Sequence, residues 1–137
     1  MGRFTMKVDL ANSDDLVRAR AGHIPEEDVR RVEIEAWADR GATRLVLPQW
    51  AVDQLGVPVV GKTKATLADH STIERDVVRY VWLKLLGREG VFTAIVEPNR
   101  TDGMLGAIVL EDLDMIPDCV TGTCYPRDPK QIITVIE

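Results

Sequence analysis

Residues 31–38, RVEIEAWA, set Val32, Ile34, Ala36 and Ala38 against Arg31, Glu33, Glu35 and Trp37. A period of two sends one set to one face of a pleated strand and the other set to the opposite face. A helix cannot accommodate that pattern, because its apolar stripe recurs every three to four residues. The stretch is therefore a half-buried strand, and the rest of the chain has to supply a sheet around it. Phe4, Met6, Val8 and Leu10 alternate in the same way and predict a first strand over residues 3–10. RLVLP (residues 44–48) is a short apolar strand. Residues 57–69 and 72–86 flank the turn-like DHS and read as a hairpin, and 88–97 as one more strand.

Helical signals are few. PQWAVDQLG has Pro48 near its start and Gly56 just past its end, the usual placement of these two residues around a helix. Residues 107–114 continue an apolar triplet as a short helix, with Ile108, Leu110 and Leu113 expected to be buried. NSDDLVRARAGHIPEEDVRR, with Ser13 before Asp14 and Asp15 and Gly22 as a stop, is capped like a short helix or a structured loop. QIITVIE at the end is an edge strand or a tail. Many short strands with one or two short helices predict an all-β, closed barrel.

The chain has 137 residues, enough for a single domain over 1–137. Its formal net charge is −5 with both signs interspersed, so no basic face for nucleic acid and no polybasic membrane anchor are expected. The N-terminal residues carry a strand pattern and no signal-peptide apolar region, and no apolar run approaches the ~18 residues of a membrane span. A soluble, cytoplasmic protein is the expectation. Cys119 and Cys124 flank Thr121-Gly122, and a two-residue turn there would set them opposite each other on a final hairpin. Two reduced thiols on a sheet face, or a cross-strand disulfide, both fit; their spacing is wrong for a zinc site and no metal is expected. His23 falls in a polar loop and His70 in a turn. Trp37, Trp50 and Trp82 sit on elements with apolar faces, as core or dimer contacts.

A carboxylate beside a glycine, Asp39-Arg40-Gly41-Ala42-Thr43, separates the strand 31–38 from RLVLP. Downstream come a helix ending QLGVP, a hairpin carrying TLADHS, and then Met104-Leu105-Gly106 leading into AIVLEDLD. In this order the pieces resemble the retropepsin-like aspartic proteases, in particular their small single-domain bacterial and archaeal branch, over about residues 30–118. The resemblance implies the closed acid-protease barrel with a flap hairpin. It makes Asp39 the catalytic aspartate, with Arg40, Gly41, Ala42 and Thr43 completing its loop. Leu67, Ala68, Asp69, His70, Ser71 and Thr72 correspond to the flap. Met104, Leu105 and Gly106 correspond to the triplet that braces the catalytic loop. No cofactor is implied.

Metal-free peptide hydrolysis needs a base to activate water and an acid to protonate the departing amine. Two adjacent carboxylates sharing one proton serve both roles, aspartic proteases being the standard case. One chain carries one such loop, so the resemblance implies a homodimer acting on a peptide or protein substrate. Arg40 departs from the family pattern, which has Thr or Ser there to hydrogen-bond across the dimer axis. Arginine accepts no hydrogen bond and stays charged, and near the axis it favours ionised carboxylates over a shared proton. The chain is therefore either an aspartic endopeptidase or a catalytically silent dimer that binds peptides or serves assembly.

Overall fold

The computed structural model describes residues 4–136. β1 (Met6–Asn12) runs antiparallel to β2 (Arg31–Ala38), with Val8 opposite Ile34 and Leu10 opposite Val32. All four are buried, as are Ala36 and Ala38, while Arg31 and Glu33 face out. The period-two pattern thus becomes one wall of the core. β3 (Leu45–Pro48) lies parallel to β6 (Arg88–Glu97), and β7 (Gly103–Leu105) threads between β2 and β3. β5 (Thr72–Leu85) pairs with β6 and returns to β1, closing six strands in the order β1-β2-β7-β3-β6-β5.

β5 has two jobs along its 14 residues, and a bulge separates them. Residues 81–84 pair with β1 and seal the barrel, whereas 72–78 pair with β4 (Val59–Thr66) outside it. Between Val78 and Val81 the register slips, and Tyr80 takes φ 67°. An extra residue bends a strand and increases its twist, which lets the β4–β5 hairpin leave the barrel wall. β4 is exposed along most of its length, as expected for a hairpin projecting from the core.

The core is aliphatic. Leu10, Leu45, Leu47, Leu55, Leu83 and Leu105 are among its fully buried side chains. α2 (Gln49–Leu55) covers one opening with Ala51, Val52 and Leu55, and stops at Gly56 in the left-handed region, φ 65°. α3 (Ala107–Asp112) contributes Val109 and Leu110, with Leu113 just beyond it. Ile108, expected to be buried, is 40% exposed: on so short a helix Val109 takes the inward position instead.

The polar stretch after β1 contains a third helix, α1 (Ser13–Arg20), whose cap is Asn12 and not Ser13. Asn12 Oδ1 accepts the Asp15 N–H at 3.1 Å, and its Nδ2 donates to the Leu55 carbonyl at 3.0 Å. Asp15, with 5% of its side chain exposed, takes three hydrogen bonds from Arg30: one from the backbone N–H and two from the guanidinium. That pairing holds the Asp15 carboxyl below the ordinary carboxylate range. Ala11, Leu16, Val29 and Trp82 form a second small core under α1.

β8 (Met115–Pro117) and β9 (Cys124–Pro126) form a separate two-stranded sheet. The two-residue turn expected at Thr121-Gly122 is not there: Cys124 pairs with Pro117, and six residues, 118–123, form the loop. Asp118 organises it by accepting the N–H groups of Val120 and Thr121 on Oδ1, a local alternative that Asp readily offers the backbone. Both cysteines are therefore free, Cys119 exposed and Cys124 buried, and no cross-strand disulfide joins them. β1 starts at Met6, and Phe4, expected on that strand's inner face, is 63% exposed. Residues 131–136 form no helix or strand.

Candidate active site

The loop after β2 is built by its own short-range bonds and by the chain that passes beneath it. Asp39 Oδ1 accepts the Gly41 N–H at 2.8 Å, and the Asp39 carbonyl accepts the Ala42 N–H at 3.1 Å. From below, the Leu105 carbonyl takes the Asp39 N–H at 3.0 Å. Ala107 N–H donates to the Ala42 carbonyl at 2.8 Å and Ile108 N–H to the Thr43 carbonyl at 2.9 Å. β7 makes this possible, because it pairs with β2 at Trp37–Met104 and Ala38–Leu105 and with β3 at Val46–Met104.

Gly106 shows how close the approach is. A Cβ there would lie 2.3 Å from the Arg44 carbonyl oxygen and 2.8 Å from both the Ala42 oxygen and the Arg44 nitrogen. Only glycine lets two backbones meet at that distance. Met104, Leu105 and Gly106 and the loop 39–44 thus form one unit, although they lie far apart along the chain.

Asp39 and Ala42 are half-buried, while Arg40, Gly41 and Thr43 are exposed. Asp39 and Arg40 open onto a cavity of about 120 Å³ whose other walls are Ala38, Pro117, Cys119 and Gly122. The loop 118–123 reaches this place because the Gly122 carbonyl accepts the Ala38 N–H at 2.6 Å and the Thr121 carbonyl the Phe4 N–H at 2.6 Å. Pro117, Cys119 and Gly122 carry no sequence signal for this position, being distant from Asp39 along the chain.

At the far end of the β4–β5 hairpin, Leu67, Ala68, Asp69, His70 and Ser71 form the tip, and Thr72 begins β5 opposite Thr66. The tip is held by its own bonds. Leu67 N–H donates to the Ser71 carbonyl at 2.8 Å, and Asp69 Oδ1 accepts from Ser71 N at 2.9 Å and Ser71 Oγ at 2.5 Å. The two Ser71 bonds hold the Asp69 carboxyl below its usual range. His70 sits at φ 67°, the left-handed geometry that histidine tolerates better than most residues. His23 is exposed.

Trp82 is 9% exposed and belongs to the core; Trp50 is 44% exposed and donates Nε1–H to the Thr101 carbonyl at 3.1 Å. Trp37 is half-buried beneath the Arg100 guanidinium, 5.5 Å from the ring centroid. Among the described residues no group of three or more His, Cys, Asp or Glu converges on a metal position. No helix among them is long and apolar enough to cross a membrane.

No protein-family model and no characterised protein matches the sequence. Solved structures do match the fold. EIAV protease complexed with the inhibitor HBY-793 aligns with 82% of this chain and 88% of its own, at 19% identity and a TM-score of 0.52. A foamy viral protease-reverse transcriptase in complex with an RNA/DNA hybrid aligns with 57% of this chain, at 17% identity and a TM-score of 0.48. This chain spans only 10% of the length of that larger enzyme. The closed six-stranded barrel, the projecting hairpin and the strand threaded beneath the Asp39 loop are thus the retropepsin-like fold, the fold of the retroviral proteases.

Proposed function

We propose that this chain is one domain of a homodimeric aspartic endopeptidase of retropepsin type. The observation that carries the reading is the Asp39 loop locked onto Gly106. A half-buried carboxylate at the mouth of a cavity is fixed by backbone bonds to a strand that only glycine lets pass. Two copies of that loop, related by a twofold axis, bring two Asp39 carboxylates together around one water. One carboxylate takes a proton from the water as it attacks the peptide carbonyl; the other, protonated, gives its proton to the substrate oxygen. The resulting diol collapses as the amine leaves with a proton, and the pair returns to its starting state. Gly41 and Ala42 shape the loop, and the hairpin tip 67–72 closes over bound peptide as a lid.

Arg40 favours a second reading, a silent dimer that retains the cleft for binding peptides. Its permanent charge shares the cavity wall with Asp39, where a hydroxyl would tie the two loops together. One experiment separates the two. Parent, Arg40→Thr and Arg40→Thr/Asp39→Asn are incubated with a mixed peptide pool at mildly acidic pH, with and without a pepstatin-like inhibitor. The peptidase reading expects cleavage, faster in Arg40→Thr, slowed by inhibitor, and reduced about 10²–10⁴-fold by the added Asp39→Asn. Folded dimers that cleave nothing, with or without Arg40, leave the binding module as the function.

A further inference from the structure

Trp37 and Asp39 leave the chain on the same side of the sheet. Ala38 between them is buried in the core, and the ladder to β7 runs on through the Asp39 N–H and the Leu105 carbonyl. Two residues of strand set their Cα atoms roughly 7 Å apart. From Trp37 a row of apolar side chains crosses the sheet on the side away from the core. Met104 lies beside Trp37, Val46 beside Met104, Ile95 beside Val46 and Val77 beside Ile95. All five are half-buried, while the residue that follows each of them along its strand is buried in the core.

The Asp39 end of this row carries a fixed cation. The Arg100 guanidinium lies over the Trp37 ring, 5.5 Å from its centroid. Three bonds tie down the turn that holds it. Arg100 N–H donates to the Glu97 carbonyl at 3.2 Å, Trp50 Nε1–H to the Thr101 carbonyl at 3.1 Å, and Arg100 Nε–H to the Asp102 carbonyl at 3.1 Å. Among the described residues these bonds leave both Nη groups of Arg100 without a partner. Neighbouring carboxylates do not neutralise it. Glu97 is paired with Arg75 at 2.9 Å, and Glu35, two residues before Trp37, takes the Thr5 hydroxyl at 2.7 Å. Arg40 and Arg44, exposed on the Asp39 loop, likewise enter no ion pair among the described residues.

Resting on the peptidase reading, we infer that Arg100 selects acidic peptides, its two Nη groups receiving the carboxylate of a Glu or Asp side chain within two residues of the bond that is cut. The reach follows from the strand. Residues of an extended peptide are about 3.4 Å apart, so the distance from Asp39 to Trp37 spans two positions of the substrate. A guanidinium offers a carboxylate two parallel N–H bonds in one plane, and the Trp37 face beneath it holds that plane in place. Arginine is weakly hydrated and therefore gives up water more readily than lysine would. Because the turn is already tied down, little ordering remains for the peptide to impose. The apolar row from Met104 to Val77 receives the neighbouring, uncharged side chains of the same peptide. Arg100 thus determines specificity, while bond breaking stays with Asp39.

Random peptide pools, blocked at both ends, test this at about pH 6, where peptide side-chain carboxyls are ionised. Mass spectrometry reads the peptides cut by the parent, Arg100→Gln and Arg100→Glu, and those retained by the same three chains carrying Asp39→Asn, so that binding is read without cleavage. Acidic residues should be enriched about tenfold or more by the parent and not by Arg100→Gln, and Arg100→Glu should enrich Lys and Arg instead. Circular dichroism reports the fold, and Arg100→Gln decides the matter if Arg100→Glu does not fold. Cleavage and retention with no acidic preference, or with one that Arg100→Gln keeps, overturn the inference while the peptidase reading stands. Acidic peptides retained through Arg100 but never cut overturn the peptidase reading and leave the acidic site in place. A parent that neither cuts nor retains any peptide overturns both.

Discussion

Replacing Gly106 with alanine tests whether the strand under the Asp39 loop is a brace or merely a neighbour. The added Cβ would sit 2.3 Å from one backbone oxygen and 2.8 Å from two further backbone atoms, while real Cβ contacts essentially never fall under 3.0 Å. All three obstacles are main chain, so no side chain can swing aside, and the loop or β7 has to move by several tenths of an ångström. Overpacking of that kind costs about 1–3 kcal/mol. The shift also strains the bonds from Ala107 and Ile108 to the carbonyls of Ala42 and Thr43, now 2.8 and 2.9 Å. Losing or lengthening them adds about 1 kcal/mol each. A total of about 2–5 kcal/mol corresponds to a Tm lowered by roughly 6–18 °C for a chain of this size. Scanning calorimetry measures it directly, and on the proposed peptidase reading cleavage by the same variant should fall more than its folded fraction, because the loop itself is displaced. A Gly106→Ala protein melting within about 2 °C of the parent, with unchanged cleavage, would show that the loop does not depend on this close approach.

Asp15 gives a pH-dependent counterpart. Its carboxyl is held below the usual range by Arg30, so the stability it adds is complete above the ordinary carboxylate pKa and is lost as pH falls through the lower folded value. Urea unfolding should find Asp15→Asn about 1–3 kcal/mol less stable at neutral pH, with the gap closing as pH falls below the ordinary carboxylate range; a gap that stays constant with pH would mean that charge plays no part. The two thiols should react very differently with iodoacetamide at about pH 8. Cys119 is exposed and labels quickly, whereas Cys124 is buried with its thiol pushed up to about 11 and should label only after unfolding. Equal labelling in the native protein would contradict the packing of Cys124 against Met6.

Elements with local signals are legible in the amino-acid order. Alternation over 31–38 specifies β2 because one face of that strand must be buried, and the observed limits of β2 and β6 are those the pattern predicts. Pro48 and Gly56 bracket α2 for reasons internal to the helix, a missing N–H at one end and a left-handed residue at the other. The order of the pieces around Asp39 carried the retropepsin-like fold. Features that depend on what lies across a gap were settled by long-range contacts. Ser13 and Asn12 are both acceptable caps, and Asn12 takes the role because its amide also reaches Leu55, 43 residues away. Thr121-Gly122 is a plausible hairpin turn in isolation, but Asp118 and the bonds from the loop to Ala38 and Phe4 favour six residues over two. Ile108 and Val109 are equally apolar, and only the direction in which α3 leaves Gly106 assigns one to water and the other to the core. The cavity at Asp39 is the clearest case. Its carboxylate is visible in the sequence as Asp close to Gly, while Pro117, Cys119 and Gly122 join it only because the chain folds back on itself and the Gly122 carbonyl binds the Ala38 N–H.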